Sequence, residues 1–371
     1  MNGYDAKIVG NFLQISSKSI QLPCVRFHIR WLRDHCRCVN CYNKETFQRK
    51  LTLLELPKDL AIVKHEINNE HLHLQWNDNH VSEFSILWLL QNNYEYSELK
   101  GNNLEKILWS GDVQVSNFVG VNRDDFMSKD DVARKVVASL YQYGVAFVHQ
   151  VDPTEADTEV VVRRLFPIQR TLFGDMWTFS DVMAHSDTAY TTSALGAHND
   201  NTYFYNAAGL QILHCIEHTG GGGETLLIDG FNMVNNLRKD NIECYKRLTN
   251  RNVSSEYIES GYHYTAEGPV VRLKKDTDEL EQIRFNIYDR SPVKIPENDV
   301  ENYYDDMKLM SSYIKDPKCE LWIKLQPGTV LFFDNWRIFH GRASYTGHRV
   351  MSGCYVSRDD WLSKARTMNL I

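Results

Sequence analysis

The chain has 371 residues, 43% of them hydrophobic, and a formal net charge of -7 at pH 7. This length fits one large domain plus a small one, and the negative charge argues against nucleic-acid binding, which needs a concentrated basic face. The longest apolar stretch, around Phe84 to Leu90, is far too short to cross a membrane. Without a secretory signal, the expected compartment is intracellular.

The first 110 residues alternate short apolar runs with Asn- and Asp-rich turns. The runs at 51–54, 72–76 and 81–89 have the length and composition of strands. We therefore predict a small β-rich domain over residues 1–110.

The remaining residues, 111–371, begin with helical patterns and continue mainly as strands. Apolar positions at helical spacing predict a helix over 131–144, a buried strand at 144–148 and a second helix from Pro153 to Leu165. Further strands are predicted at 210–215, 225–228, 283–287, 320–325, 329–333 and 350–356, with helices near 232–239 and 298–314. Many strands with a few flanking helices indicate a β-sandwich or jelly roll.

Two distant stretches contain a set of metal ligands. His198 and Asp200 stand two residues apart, so on a strand their side chains point to the same face. With His340 they form the two-histidine, one-carboxylate set that holds non-haem Fe(II) and leaves coordination positions open. The pattern is weak alone, because His185-Ser186-Asp187 repeats it upstream.

Residues around the triad suit a 2-oxo acid bound to the metal. Arg349 follows His340 on the strand leading to Tyr355, and its guanidinium can bind the far carboxylate with two hydrogen bonds. Thr225, after a run of four glycines, can add a hydroxyl. The alternative for a lone arginine is a surface salt bridge, but its position after the triad favours the co-substrate.

Several motifs together resemble one enzyme family. They lie at 31–36, 187–191, 194–204, 334–341 and 353–360. In this order they resemble the γ-butyrobetaine/trimethyllysine dioxygenases, which are Fe(II)- and 2-oxoglutarate-dependent hydroxylases of carnitine biosynthesis. The resemblance implies a double-stranded β-helix (jelly-roll) oxygenase core, mainly β with flanking helices, after a small N-terminal zinc domain.

The same resemblance implies roles for individual residues. His198, Asp200 and His340 would be the iron ligands, and Arg349 and Thr225 would hold 2-oxoglutarate. The upstream pair His185 and Asp187 is thereby rejected as the iron pair.

Three cysteines, Cys36, Cys38 and Cys41, form a tight cluster suited to zinc. Four ligands are needed to close a structural site, and family members with this cluster complete it with a histidine after a Trp-x-Asp turn, here His80. The other candidates are His35, His71 and His73, which spacing alone leaves open.

Both family substrates carry a quaternary trimethylammonium group, which has no N–H to donate and is recognised by aromatic faces. Trp177, Tyr190 and Tyr355 stand where the family has its aromatic cage, although each could instead be core packing. Phe173 departs from the tyrosine that the family often has, which leaves its role as a cage wall open.

The residue at 187 distinguishes the two substrates. Butyrobetaine enzymes resemble one another in carrying an amide there, whereas this chain has Asp187, which would attract the α-ammonium of trimethyllysine. The His340-to-Arg349 interval and Gly353-Cys354-Tyr355 also resemble trimethyllysine enzymes. Against this, the complete cysteine cluster is more typical of butyrobetaine enzymes, so γ-butyrobetaine dioxygenase is the alternative.

The implied reaction is hydroxylation of trimethyllysine at C3 by O₂, with release of succinate and CO₂. The family adds ascorbate as reductant, leaves a homodimer open, and gives the mitochondrial matrix as compartment with the cytoplasm as alternative. A taurine-type oxygenase, which needs no cage, and a catalytically inactive reader of methylated lysine are the rival classes. No residue of the iron-ligand triad is missing from the sequence, which disfavours a catalytically inactive reader of methylated lysine.

Overall fold

The computed structural model describes residues 3–17, 22–94, 104–180, 191–275 and 277–371. The chain divides into two compact units, residues 1–103 and 104–371. Residues 104–110, which the sequence pattern groups with the first domain, belong to the second unit.

The first unit is built from small antiparallel sheets. One contains β1 (Tyr4–Val9), β2 (Phe12–Ser17) and β3 (Leu22–His28), another β6 (Ile62–Asn68), β7 (His71–Trp76) and β8 (Val81–Ser85), and β4 (Tyr42–Asn43) pairs with β5 (Gln48–Arg49). Short helices α1 (Ile29–Asp34) and α2 (Ile86–Gln91) follow β3 and β8. Alternate residues of β2 and β7 are buried, as the period of a strand requires.

The second unit contains two facing sheets. The larger runs in the order β11 (Met176–Phe179), β22 (Arg349–Val356), β13 (Leu210–His218), β20 (Val330–Asp334), β10 (Val145–His149) and β9 (Val119–Asn122). The smaller runs in the order β12 (Leu195–His198), β21 (Ile338–Arg342), β14 (Thr225–Asp229) and β19 (Leu321–Ile323). Phe147, Leu213 and Phe333 of the larger sheet pack with Leu227 and Ile338 of the smaller one.

Helices cover the outer faces of both sheets. On the larger sheet these include α4 (Asp130–Tyr143), α5 (Glu155–Arg163) and α9 (Arg358–Thr367), and on the smaller sheet α6 (Gly230–Asp240), α7 (Ile242–Asn250) and α8 (Val300–Ile314). Helix α3 (Arg123–Ser128) precedes α4, and the hairpins β15 (Asn252–Glu259)–β16 (Tyr262–Pro269) and β17 (Val271–Leu273)–β18 (Leu280–Ile283) follow α7. The predicted jelly roll with flanking helices is confirmed.

The structure differs from the predicted elements at several places. The strand predicted at 283–287 ends at Ile283, because the backbone beyond Arg284 leaves β17 and the Phe285 carbonyl accepts the N–H of Asn199, the residue after β12. Helix α7 and hairpin β15–β16 were not expected from the sequence, and neither was helix α9. The long β22 begins at Arg349, one residue before the predicted start.

Candidate active site

Paired strands bring the three predicted iron ligands together. His198 ends β12 and His340 lies within β21, where the two histidines are direct partners across the antiparallel pair. Asp200 follows immediately, and its Oδ1 lies 3.2 Å from His198 Nε2 and 3.7 Å from His340 Nε2. Adjacent ligands of an octahedral ion with bonds of about 2.1 Å lie about 3 Å apart, so one ion fits between these atoms.

Two buried asparagines fix the turn that carries Asp200. The Asn335 side chain accepts the Asp200 N–H at 2.9 Å and donates to the Asp200 carbonyl at 3.0 Å. The Asn199 amide donates to the carbonyls of Asn335 at 2.9 Å and Ile338 at 3.1 Å. These reciprocal bonds tie the ligand turn to the segment that leads into β21.

The charges of the triad suit a divalent cation. Burial would raise the pKa of Asp200, but His340, His198 and the Tyr355 hydroxyl outweigh it and hold that pKa far below its ordinary value. Burial and neighbouring His198 lower the pKa of His340 to about 3, which leaves this imidazole neutral. Nδ1 of His198 bonds the Gly196 carbonyl at 2.8 Å, so its Nε2 is directed at the ion.

Tyr355 contacts the triad directly. Its hydroxyl donates to Asp200 Oδ2 at 2.6 Å, which leaves Oδ1 facing the two histidines. The ring also lies 5.6 Å from the ring of Trp177, centroid to centroid. Tyr355, predicted as a cage residue, is therefore also a partner of an iron ligand.

A cavity of about 320 Å³ contains the triad. Arg349 lines it and is only 5% exposed, yet no hydrogen bond or ion pair to it is found among the described residues. A buried guanidinium without an anionic partner indicates an anionic ligand. Thr225 lines the same cavity, so both residues predicted for 2-oxoglutarate are in place to contact it.

A second buried arginine, Arg342, also lines the cavity. It lies opposite Thr225 in the β14–β21 pair and donates to the carbonyls of Thr191 and Ser193. Arg342 thereby anchors the chain just before β12. Its position two residues after His340 is the only sequence signal for it, and this role was not predicted.

Aromatic residues form one wall of the cavity. Trp177 and Phe173 line it, together with Tyr203 and Tyr257, whose rings stack at 4.8 Å. Phe173 packs edge-on against Tyr257 at 5.9 Å, so it belongs to the wall despite the departure from the family's tyrosine. Tyr190, Asp187 and the upstream His185 lie outside the described residues.

Further polar residues of the cavity were not predicted. Gln211 is 4% exposed, lies opposite Tyr355 across the β13–β22 pair, and its side-chain oxygen has no hydrogen-bond partner among the described residues. Glu256, Asn286 and Asp289 line the cavity from β15 and the segment after β18. Their sequence neighbourhoods contain no spacing pattern that separates them from surface residues.

The first unit contains the cysteine cluster. His80 Nε2 lies 3.3 Å from Cys36 Sγ and 3.7 Å from both Cys38 Sγ and Cys41 Sγ. Ligands of a tetrahedral zinc ion with bonds of about 2.0–2.3 Å lie about 3.5 Å apart, so these four residues fit zinc. The buried Arg33 donates to Cys41 Sγ at 3.3 Å and supplies positive charge beside the thiolates.

The three competing histidines lie away from this cluster. His35 Nδ1 contacts the Trp31 carbonyl at 2.7 Å and its ring stacks on Trp31. His71 and His73 face Glu83, each at 4.0 Å. Of the histidines of the described residues, His80 joins the three cysteines.

The jelly-roll fold, with a metal-ligand triad at a pair of its strands, defines an iron-dependent oxygenase. The family model for the taurine catabolism dioxygenase TauD, TfdA family matches residues 110–355, and that for gamma-butyrobetaine hydroxylase-like N-terminal regions matches residues 11–90. The chain belongs to this family, within its γ-butyrobetaine/trimethyllysine group. Family members depend on Fe(II) and 2-oxoglutarate, and the protein is a dioxygenase that uses O₂ on a small molecule.

Two known enzymes are similar to this chain in sequence. Mitochondrial trimethyllysine dioxygenase of Mus musculus is 38% identical over 93% of this chain and 83% of its own. Human gamma-butyrobetaine dioxygenase is 26% identical over 91% of this chain and 90% of its own.

A solved structure shares the fold. A putative alpha-ketoglutarate-dependent taurine dioxygenase from Burkholderia xenovorans superposes with a TM-score of 0.51 at 16% identity, covering 68% of this chain and 92% of that one. Among the described residues, no helix is long and apolar enough to cross a membrane.

Proposed function

We propose that the protein hydroxylates N6,N6,N6-trimethyllysine at C3, consuming O₂ and 2-oxoglutarate and releasing succinate and CO₂. One observation carries the reaction type: the His198, Asp200 and His340 ligand atoms share one cavity with the buried guanidinium of Arg349, which has no anionic partner among the described residues. The substrate is supported by 38% identity to the mouse trimethyllysine enzyme against 26% to the human butyrobetaine enzyme.

His198, Asp200 and His340 hold Fe(II), which supplies the oxidative chemistry when bound. The Gly196 carbonyl orients the His198 ring, and the Tyr355 hydroxyl fixes the rotation of the Asp200 carboxylate. Both contacts are of the kind that orients ligands from outside the coordination sphere. Arg349 and Thr225 bind the distal carboxylate of 2-oxoglutarate and so set the position of its other end at the metal.

The substrate lies against the aromatic wall. Trp177, Tyr355 and Tyr190 receive the trimethylammonium group on their faces, since such a cation offers no hydrogen to donate. Asp187 pairs with the α-ammonium at the other end of the substrate. Butyrobetaine has a carboxylate but no such ammonium, so a carboxylate at this position selects against it.

The first unit, residues 1–103 of the predicted zinc-binding domain 1–110, has a structural role. Cys36, Cys38, Cys41 and His80 bind one Zn²⁺ and join the loop after α1 to the β7–β8 turn. Residues 111–371 form the catalytic domain. Ascorbate as reductant, a mitochondrial matrix location and a homodimer complete the proposal by analogy with the family.

A direct competition between substrates tests the proposal. The protein, loaded with Fe(II) and 2-oxoglutarate in air, receives equal amounts of trimethyllysine and γ-butyrobetaine, and the products are separated by mass spectrometry. We expect hydroxylated trimethyllysine to dominate. Carnitine as the main product would instead establish the alternative, γ-butyrobetaine dioxygenase.

A further inference from the structure

Three carboxylates of the described residues line the active-site cavity: Asp200, Glu256 and Asp289. Asp200 belongs to the metal triad. Glu256 pairs with His263, whose Nε2 lies 2.7 Å from Glu256 Oε1. The third carboxylate, Asp289, lies on the segment that follows β18.

Local hydrogen bonds hold Asp289 in place. Its Oδ2 accepts a hydrogen bond of 2.6 Å from the Asn286 amide, and the Asn286 oxygen accepts the Tyr288 N–H at 2.9 Å. The Asp289 carbonyl accepts the Glu256 N–H at 2.8 Å, which links the segment to β15. One bond thus holds the side chain of Asp289 and another holds its backbone.

The same segment packs against the strand that carries the first iron ligand. The Tyr288 hydroxyl accepts the Gly196 N–H at 2.8 Å, and its ring lies edge-on to His198 at 5.9 Å. The Phe285 carbonyl accepts the Asn199 N–H at 2.9 Å. The segment that carries Asp289 is therefore packed against the metal-binding strand β12, and Asp289 lines the same cavity as the triad.

We propose that Asp289 is a second specificity-determining residue, which binds the α-ammonium group of the amino-acid substrate. The inference rests on the proposed hydroxylation of trimethyllysine at C3. In that substrate the α-nitrogen is only two bonds from C3, so its counter-charge must lie beside the metal ligands. Asp289 meets this condition, because it lines the cavity that contains the triad and its segment packs against β12.

The chemistry of the two family substrates makes the role selective. An ammonium gains a charge-assisted hydrogen bond from Asp289. Butyrobetaine offers no ammonium with a hydrogen to donate, and its carboxylate would be repelled by a second negative charge. Asp289 thus favours amino-acid substrates over simple betaines.

The test uses Asp289→Asn, which keeps the size of the side chain and an oxygen that can accept the Asn286 hydrogen bond. Values of kcat/KM are measured for trimethyllysine and for its deamino analogue, which lacks only the α-ammonium. We expect the preference for trimethyllysine to fall by about 10- to 100-fold in Asp289→Asn, since a hydrogen bond to a charged group contributes that much. Glu256→Gln, the control at the other cavity carboxylate, should leave the preference unchanged.

An equal loss of activity on both substrates in Asp289→Asn would overturn the inference, because a purely structural role lowers both together. Asp289→Glu, which retains the charge, should retain the preference, and its loss there would also count against the role. If Asp289→Asn does not fold, Asp289→Ser serves the same comparison. Wild-type protein that leaves trimethyllysine unhydroxylated would instead refute the proposed function itself.

Discussion

Tyr355 combines two contacts that are usually made by separate residues. Its ring lies beside Trp177 in the aromatic wall, while its hydroxyl donates to Asp200 Oδ2. A cation would meet the ring face, and the metal would meet the carboxylate that the hydroxyl orients. The two roles can be separated experimentally, because phenylalanine keeps one contact and loses the other.

For Tyr355→Phe we expect Fe(II) affinity or turnover to fall about 10- to 100-fold, the usual effect of losing a hydrogen bond to a metal ligand. Substrate affinity should change little, since the ring stays in place. Anaerobic titration of the charge-transfer absorption of Fe(II) with 2-oxoglutarate, followed by substrate binding, measures both. Tyr203→Phe is the control, because Tyr203 lines the same cavity but does not contact the triad. Weakened substrate binding with normal iron affinity would contradict this account.

At the residue scale, the sequence predicted functional residues where metal or co-substrate binding restricts the residue type. His198, Asp200, His340, Arg349 and Thr225 were predicted for one site, and the structure brings them to one cavity. Asn199 and Asn335 stood in the same motifs without a role, because hydrogen bonds to distant backbone atoms leave no spacing pattern. Arg342 was missed for a similar reason, since its partners are carbonyls.

At the level of elements, the β12–β21 pair creates the metal site. Direct pairing of His198 with His340 depends on register, and a slip by one residue would turn the ligands to opposite faces. The bonds of Asn199 and Asp200 to Asn335 cross this pair at its end and so define the register.

Asn335→Ala should lower the free energy of unfolding by about 2–4 kcal/mol, because it leaves buried backbone groups of Asp200 without partners. Iron affinity should fall as well, as the ligand turn loosens. Urea unfolding and metal titration measure the two effects. Asn232→Ala is the matched control for Asn335→Ala. It removes a side-chain hydrogen bond to Ser110 elsewhere in the same unit and should leave iron binding intact. Normal iron binding in Asn335→Ala would argue against a positioning role.

Helices and strands whose apolar residues follow one clear period were predicted with ends within a few residues of those observed. Helix α4 and strands β10, β13 and β20 have clear apolar patterns, and the structure places them close to the predicted ranges. Hairpin β15–β16 was missed because its residues are largely polar and only partly buried, so no alternation marks it. The predicted strand at 283–287 was wrong beyond Ile283, because the backbone there leaves β17 and the Phe285 carbonyl instead accepts the N–H of Asn199.

At the scale of the whole molecule, the cysteine cluster and the iron triad lie in different units. Zinc at the first should therefore affect stability more than the chemistry of the second. A small unit with short sheets gains much of its stability from such a cross-link.

Cys41→Ser should abolish zinc retention and lower the unfolding free energy of the first unit by about 3 kcal/mol or more. Elemental analysis after dialysis against a chelator, with thermal unfolding, provides the measurement. Cys24→Ser is the control, because Cys24 is an exposed cysteine of the same unit outside the cluster. One equivalent of zinc bound to Cys41→Ser would refute the assignment.

The central claim is oxygen transfer to trimethyllysine at the His198–Asp200–His340 site. Its most direct test is a single-turnover reaction in oxygen-18 gas with Fe(II), 2-oxoglutarate and trimethyllysine. We expect succinate and 3-hydroxy-trimethyllysine in equal amounts, with one labelled oxygen atom in each, and neither product from Asp200→Ala. Unlabelled hydroxyl in the product, or full activity in Asp200→Ala, would contradict it.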